Sequence, residues 1–417
     1  MNKKANGNVF AIAICFFLFA MISFVTGLQN PMGVIAKAQF GATNLMSQLG
    51  NAANFIAYAF MGLPAGFLLK GKGYKFTALT AIAIGFVGVG ISYLSGVFES
   101  FPVYLLGAFV SGFSMCMLNT VVNPLLNTLG GGGNKGNQLI QLGGSCNSLS
   151  ATIVPVLAGY LIGEVTEKTQ VADVNLALFI AMAIFALAFV IIFLSAIPEP
   201  ELEAAALAGE QKKEGTLDSI KGALSHKNLV FGVIAIFLYV GIEVGIPNMA
   251  NLYMTSPDGL GMAAGVAGTL VGAYWFLMLC GRLVGGAIGG KVSSRAMMTF
   301  VSSLAIVFVL LGMFLPETLT MSLLEAQVPV GMVCFVLCGL CTSIMWGAIF
   351  NLAVEGLGKY TSIASGLFMV MVCGGGLLPL LQGFVADLAG YITSYWVIIA
   401  ALAYTLWFAL VGSKVNK

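Results

Sequence analysis

Twelve stretches of about twenty or more mostly apolar residues, each long enough to cross a bilayer, follow one another along this chain. Their approximate bounds are 9–36, 45–69, 75–97, 101–128, 137–163, 174–197, 228–254, 261–290, 296–316, 326–354, 360–387 and 392–413. Such stretches cannot make a water-exposed surface. A soluble domain carries about 25% charged residues, and this chain of 417 residues carries 8%. In hydrocarbon every backbone N–H and C=O needs an internal partner, which a helix supplies within one segment. The sequence therefore predicts an all-α polytopic membrane protein with twelve transmembrane helices. Several stretches exceed the minimum length, which predicts tilted or broken helices. Pro31, Pro64, Pro124, Pro155, Pro247 and Pro379 lie inside them, and each removes a backbone donor.

One segment stands apart. Residues 198–227 hold six acidic residues (Glu199, Glu201, Glu203, Glu210, Glu214 and Asp218) and four lysines (Lys212, Lys213, Lys221 and Lys227), with the only histidine, His226. A segment of this charge stays in water. It divides the chain into an N-terminal six-helix half (1–197), a linker (198–227) and a C-terminal six-helix half (228–417). The ends of spans two and eight echo each other, as GFLLKGKGYK (Gly66–Lys75) and GRLVGGAIGGKVSSR (Gly281–Arg295). Paired halves of this kind are expected where two bundles rock about a central site.

Basic residues orient the chain. With the N-terminus inside, 15 lysines and arginines face the cytoplasm, Arg282 lies near the inner end of span eight, and only Lys37 and Lys168 lie outside. Both termini and the linker are thus expected in the cytoplasm. The apolar run after Lys3 and Lys4 is longer than the roughly 7–15 residues of a signal-peptide core and reads as a retained first span. The eight cysteines all fall in apolar runs and read as small packing residues.

Long ordered blocks carry a resemblance. They are NTVVNPLLNTLG (Asn119–Gly130), CNSLSATIVPVLAG (Cys146–Gly159), FLYVGIEVGIPN (Phe237–Asn248), AYWFLMLCGRLVGG (Ala273–Gly286) and the run from Ile349 to Asp387. On these, the chain resembles the fucose/glucose–galactose:cation symporter family of the major facilitator superfamily over nearly its whole length. The resemblance implies the fold of that superfamily, alternating access and a sugar substrate, with protons or in some members sodium as the driving ion.

Charge inside a bilayer costs at least ~2.5–3.5 kcal/mol per residue, so the few polar residues at depth are informative. Glu243 is the one acidic residue near the middle of a span, with Pro247 and Asn248 a turn further on. It reads as a sugar-hydroxyl acceptor or cation-coupling group, sodium included, against the plainer reading of an interhelical hydrogen bond. In the N-terminal half Gln29, Asn30, Asn119, Asn123, Gln141 and Asn147 offer amides, which suit sugar hydroxyls; the plainer reading is that they tie helices together. Asn119 and Asn123 share a helix face. Asn147 matches a family asparagine and is the strongest carry-over for sugar contact. Phe24, Tyr274, Trp275 and Trp346 offer aromatic faces, and Asn248 and Asn351 complete the candidate set.

Proton-coupled members of the family carry an acid in span one and another four residues before the Asn-Pro of span four. Here Asn30 and Asn119 stand at those positions. The departure leaves Glu243 as the single midplane coupling candidate, with sodium preferred over the proton. The expected function is secondary active transport of a hexose such as glucose, galactose or fucose. The alternatives are an uncoupled sugar uniporter or, behind it, a non-transporting sugar sensor. No nucleophile–base pair or metal cluster falls in a span, so no enzyme activity and no cofactor beyond a coupling Na⁺ or H⁺ is expected. The expected setting is a bacterial inner membrane, as a monomer, with sugar and lipid as partners and no nucleic acid. The topology is directly testable: Glu210→Cys is expected to react with membrane-impermeant thiol reagents only from the cytoplasmic side, and labelling in intact cells would reverse the orientation.

Overall fold

The computed structural model describes residues 2–27, 44–162, 174–199, 202–203, 216–256, 258–262, 264–323 and 326–414. Among the described residues, helix lies within each of the twelve apolar stretches, and nine helices are long and apolar enough to cross a membrane. In chain order the helices are α1 (Asn2–Gly27), α2 (Asn44–Val97), α3 (Phe101–Leu129), α4 (Gly133–Ile162), α5 (Asn175–Leu194), the short linker helix α6 (Thr216–Leu224), α7 (Lys227–Thr255), α8 (Ala264–Ile288), α9 (Ser294–Phe314), α10 (Val330–Val354), α11 (Thr361–Met371), α12 (Gly374–Ala389) and α13 (Tyr395–Trp407). The second and third stretches run together as α2, and the eleventh is split into α11 and α12. A hairpin of β1 (Thr320–Leu323) and β2 (Ala326–Pro329), antiparallel with Thr320 opposite Pro329, joins α9 to α10.

Contacts divide the chain into two units. The first comprises Met1–Leu129, Cys146–Ala223 and Leu357–Val370; the second comprises Gly130–Ser145, Leu224–Gly356 and Met371–Lys417. The boundaries follow the halves except at two places: the first turns of α4 pack with the second unit, and α11 packs with the first. Within the first unit α3 lies along α2, and α1 packs against α3 and α5. Within the second, α10 packs against α7, α8 and α9, while α12 and α13 pack against α7. Large apolar side chains such as Leu194, Phe300, Phe314, Leu380 and Leu388 are more than 60% exposed. An apolar exterior of this extent marks a lipid-facing surface.

The break inside α2 shows how the charged linker is fastened. Gly73 takes a left-handed backbone (φ 83°), which glycine adopts without steric cost. The bend presents the N–H groups of Tyr74 and Lys75 to one carboxylate, Glu199, at 2.6 and 2.8 Å. A Cβ on residue 73 would lie 2.3 Å from that carboxylate. Lys75 Nζ donates to the carbonyls of Phe193 and Ser195 at the end of α5, at 2.8 and 2.7 Å. Lys70 Nζ donates to Ser219 of α6 at 2.6 Å. The turn of α2 therefore grips the linker at its start and near its end. Burial raises the Glu199 carboxyl above its ordinary range, against the two backbone N–H donors that lower it. Glu199→Ala leaves two helix-start N–H groups without their acceptor, at a cost of about 1–3 kcal/mol. Gly73→Ala breaks the same contact from the other side. Both are expected to lower the melting temperature of the detergent-purified protein, and the double variant to lose less than the two separate losses combined, because they share one interaction.

Candidate functional site

The second unit holds a charged pair at membrane depth. Glu243, near the middle of α7, meets Arg282 of α8 at 3.5 Å, with the two side chains only 15% and 11% exposed. The other terminal nitrogen of Arg282 donates to the Gly144 carbonyl of α4 at 3.0 Å. Tyr239, one turn before Glu243 and fully buried, turns its hydroxyl toward the side chains of both Glu243 and Arg282. Trp346 of α10 stands edge-on to the Tyr239 ring, with centroids 6.2 Å apart. Two residues earlier, the Ile344 carbonyl accepts from Gln141 Nε2 at 2.7 Å. The arrangement presents a carboxylate, a guanidinium, a phenol and an indole together. These are groups able to bind hydroxyls and to exchange a charge.

The first unit holds amides. Asn119 of α3 donates to the Tyr58 hydroxyl of α2 at 3.1 Å and to its own helix at Met115. Asn123, fully buried, donates to the Asn119 carbonyl at 2.9 Å. Pro124 follows, and its missing N–H leaves the Thr120 carbonyl without a helical donor; Ser365 Oγ of α11 donates there at 3.0 Å. Asn147 of α4 donates to the Phe19 carbonyl of α1 at 3.1 Å and remains half-buried. Asn119 and Asn147 each bond to a neighbouring helix, Asn123 bonds within its own, and the half-buried Asn119 and Asn147 keep part of their surface accessible.

The other candidates fall elsewhere. Gln29 and Asn30 lie outside the described residues. Asn248 is exposed on α7, Trp275 is 38% exposed with its edge on Tyr274, and Phe24 is half-buried on α1. Asn351 donates to Ser294 Oγ at 2.8 Å, at the start of α9 beside Arg295. That bond ties α10 to α9. Sequence reasoning did not pair Arg282 with Glu243, nor single out Tyr239 and Tyr58. The signal for Arg282 was present: an arginine within an apolar run needs a partner.

These features define a polytopic membrane protein of two helical units, each with polar groups buried in its helices. Residues 12–378 match the family model of the Major Facilitator Superfamily. The chain belongs to that superfamily. It is 28% identical over 408 residues to a glucose/galactose transporter of Brucella abortus, covering 97% of this chain and 94% of the relative. It is 24% identical over 416 residues to the L-fucose-proton symporter of Escherichia coli, covering 93% and 90%. Among solved structures, the E. coli fucose:proton symporter superposes with a TM-score of 0.82 at 21% identity, over 98% of this chain and 100% of that one. The branch resemblance read from the sequence blocks is borne out by these relatives.

Breaking a buried ion pair by removing one partner costs about 3–5 kcal/mol, because the other charge is left uncompensated. Arg282→Met is therefore expected to lower thermal stability in detergent sharply. Combining it with Glu243→Gln is expected to recover most of the loss, since no charge then remains unpaired. Additive losses in the melting curves would show that the two side chains do not depend on each other.

Proposed function

We propose that this protein is a secondary sugar carrier that moves a hexose by alternating access, with Glu243 and Arg282 as its coupling element. The observation that carries the reading is the buried pair itself, a carboxylate and guanidinium 3.5 Å apart inside a helical unit. The names of the relatives, a glucose/galactose transporter and a fucose–proton symporter, supply the substrate class. The carrier works as a monomer in a bacterial inner membrane with both termini in the cytoplasm, in keeping with the lysine and arginine bias.

The pair changes the preferred ion. The sequence alone favours sodium, because amides replace two titratable groups. A guanidinium against Glu243 already supplies the positive charge that a sodium ion would bring, so a second cation there meets repulsion. A proton instead neutralises the carboxylate and releases Arg282. The second reading, an uncoupled uniporter, is supported by the amide at Asn119 and by the neutrality of the pair at rest.

The test uses the full chain in proteoliposomes with labelled glucose, galactose and fucose, under separately imposed proton and sodium gradients. The expected result is accumulation of one hexose driven by the proton gradient. Glu243→Gln is expected to abolish accumulation while keeping part of the counterflow, which needs only reorientation of the loaded carrier. Equal accumulation by wild type and Glu243→Gln removes Glu243 from coupling. Equilibration without accumulation under either gradient makes the protein a uniporter. No uptake above protein-free vesicles for any of the sugars sinks the sugar reading.

A further inference from the structure

Pro247 has no N–H, so the carbonyl of Glu243, four residues back in α7, lacks a helical donor. The Tyr274 hydroxyl of α8 lies 3.2 Å from that oxygen. Tyr274 is 1% exposed, and the other neighbour of its hydroxyl is Thr342 Oγ1 of α10, at 3.0 Å. A phenol carries one proton. Thr342 Oγ1 also lies 3.2 and 3.3 Å from the Cys338 and Gly339 carbonyls of its own helix, so its one proton chooses among three acceptors. When it turns to Tyr274, the Tyr274 proton goes to the Glu243 carbonyl. Gly339 keeps α10 close at this level: a Cβ there would lie 2.3 Å from the Tyr274 carbonyl oxygen.

The same helix thus holds Glu243 twice. Tyr274 takes its backbone oxygen, and Arg282 takes its carboxylate. On another side of the turn Tyr395 of α13, fully buried, donates to the Ile246 carbonyl at 2.9 Å. That carbonyl differs in kind, because Ala250, four residues on, still has an N–H to offer it.

We infer that Tyr274 is a positioning residue for the coupling carboxylate: its hydroxyl stands in for the N–H that Pro247 lacks, and so fixes the turn from which Glu243 reaches Arg282. This rests on Glu243 as the coupling group. Loss of the hydroxyl leaves an orphan carbonyl in hydrocarbon, and the turn relaxes by rotating or by drawing in water. Either response moves the carboxylate away from the guanidinium.

The test compares Tyr274→Phe, Pro247→Ala, the double variant and Tyr395→Phe, as full chains in proteoliposomes and as purified protein in melting experiments. Tyr274→Phe is expected to lower gradient-driven accumulation about tenfold, the scale of one buried hydrogen bond, while counterflow stays within about threefold. In the Pro247→Ala background the restored N–H at position 247 supplies the carbonyl. Adding Tyr274→Phe there is expected to change accumulation less than about twofold, the signature of a shared partner. Tyr395→Phe is expected to cost less than Tyr274→Phe, because Ile246 keeps its helical donor. If Pro247→Ala does not fold, Pro247→Ser restores the same N–H. A loss of accumulation and counterflow in parallel, or the same Tyr274→Phe deficit in both backgrounds, overturns the inference. The melting cycle needs no sugar: additive shifts for Pro247 and Tyr274 sink the hydroxyl–carbonyl contact itself. Coupled shifts in a chain that carries no sugar leave that contact standing and remove its coupling role together with the transport reading.

Discussion

In hydrocarbon a backbone carbonyl that loses its helical donor has no water to turn to, and the free energy of an unmet polar group is several kcal/mol. This constraint organises both units. Pro124 frees the Thr120 carbonyl in α3, and Ser365 of α11 meets it at 3.0 Å. Pro247 frees the Glu243 carbonyl in α7, and Tyr274 of α8 meets it at 3.2 Å. In each case a break in one helix is repaired by a hydroxyl from another, and the repair fixes two helices to one another at the level of the polar residues. A proline that would disrupt an isolated helix becomes, inside a bundle, a point at which a neighbour is held in register.

Much of this was legible from the sequence because it depends on one residue at a time. The apolar runs give the helices, since length and composition decide whether a segment can cross a membrane. Glu243 stands out because a carboxylate at depth is costly enough to require a reason. Pro124 and Pro247 mark gaps in the helical hydrogen-bond ladder by their chemistry alone, although both helices run on through them. The turn at Gly73 shows in the sequence as GKGYK, although nothing there says that Glu199, 125 residues on from Tyr74, supplies its acceptor.

What was not legible depends on pairs. An asparagine at depth reads equally well as a ligand or as a tie between helices. Asn351 turned out to bind Ser294, Gln141 the Ile344 carbonyl and Asn147 the Phe19 carbonyl. Arg282 was assigned to the end of its span by the position of its Cα. Its side chain is long enough to carry the charge along the helix to a partner elsewhere, and it reaches Glu243. Counting residues along a helix places backbones; it does not place the ends of arginines. The two hydroxyls that complete the proline gaps were hidden for the same reason: Ser365 looks like an ordinary apolar-run residue, and Tyr274 stands out for its aromatic face and not for its hydroxyl, until the carbonyls they meet are known.

The pair also constrains how coupling could work on the reading proposed above. At rest Glu243 and Arg282 neutralise each other, so neither charge stands alone. A proton on Glu243 leaves the guanidinium without its counter-charge, at a cost of about 3–5 kcal/mol for a buried partner. At about 1.4 kcal/mol per tenfold, that penalty suppresses the protonated, empty carrier by two to four orders of magnitude. Hydrogen bonds to a charged group contribute about 1.5–3 kcal/mol each. Two sugar hydroxyls accepting from Arg282 would therefore offset the loss of the carboxylate, and a single water-like contact would not. Protonation and sugar binding then favour one another, each making the other less costly, through one shared guanidinium. Sodium offers no such exchange, because it brings a charge to a place where one is already present. The coupling, on this argument, resides in Arg282 keeping the Gly144 carbonyl on one terminal nitrogen and exchanging the acceptor on the other: the carboxylate when the carrier is empty, the sugar when it is loaded.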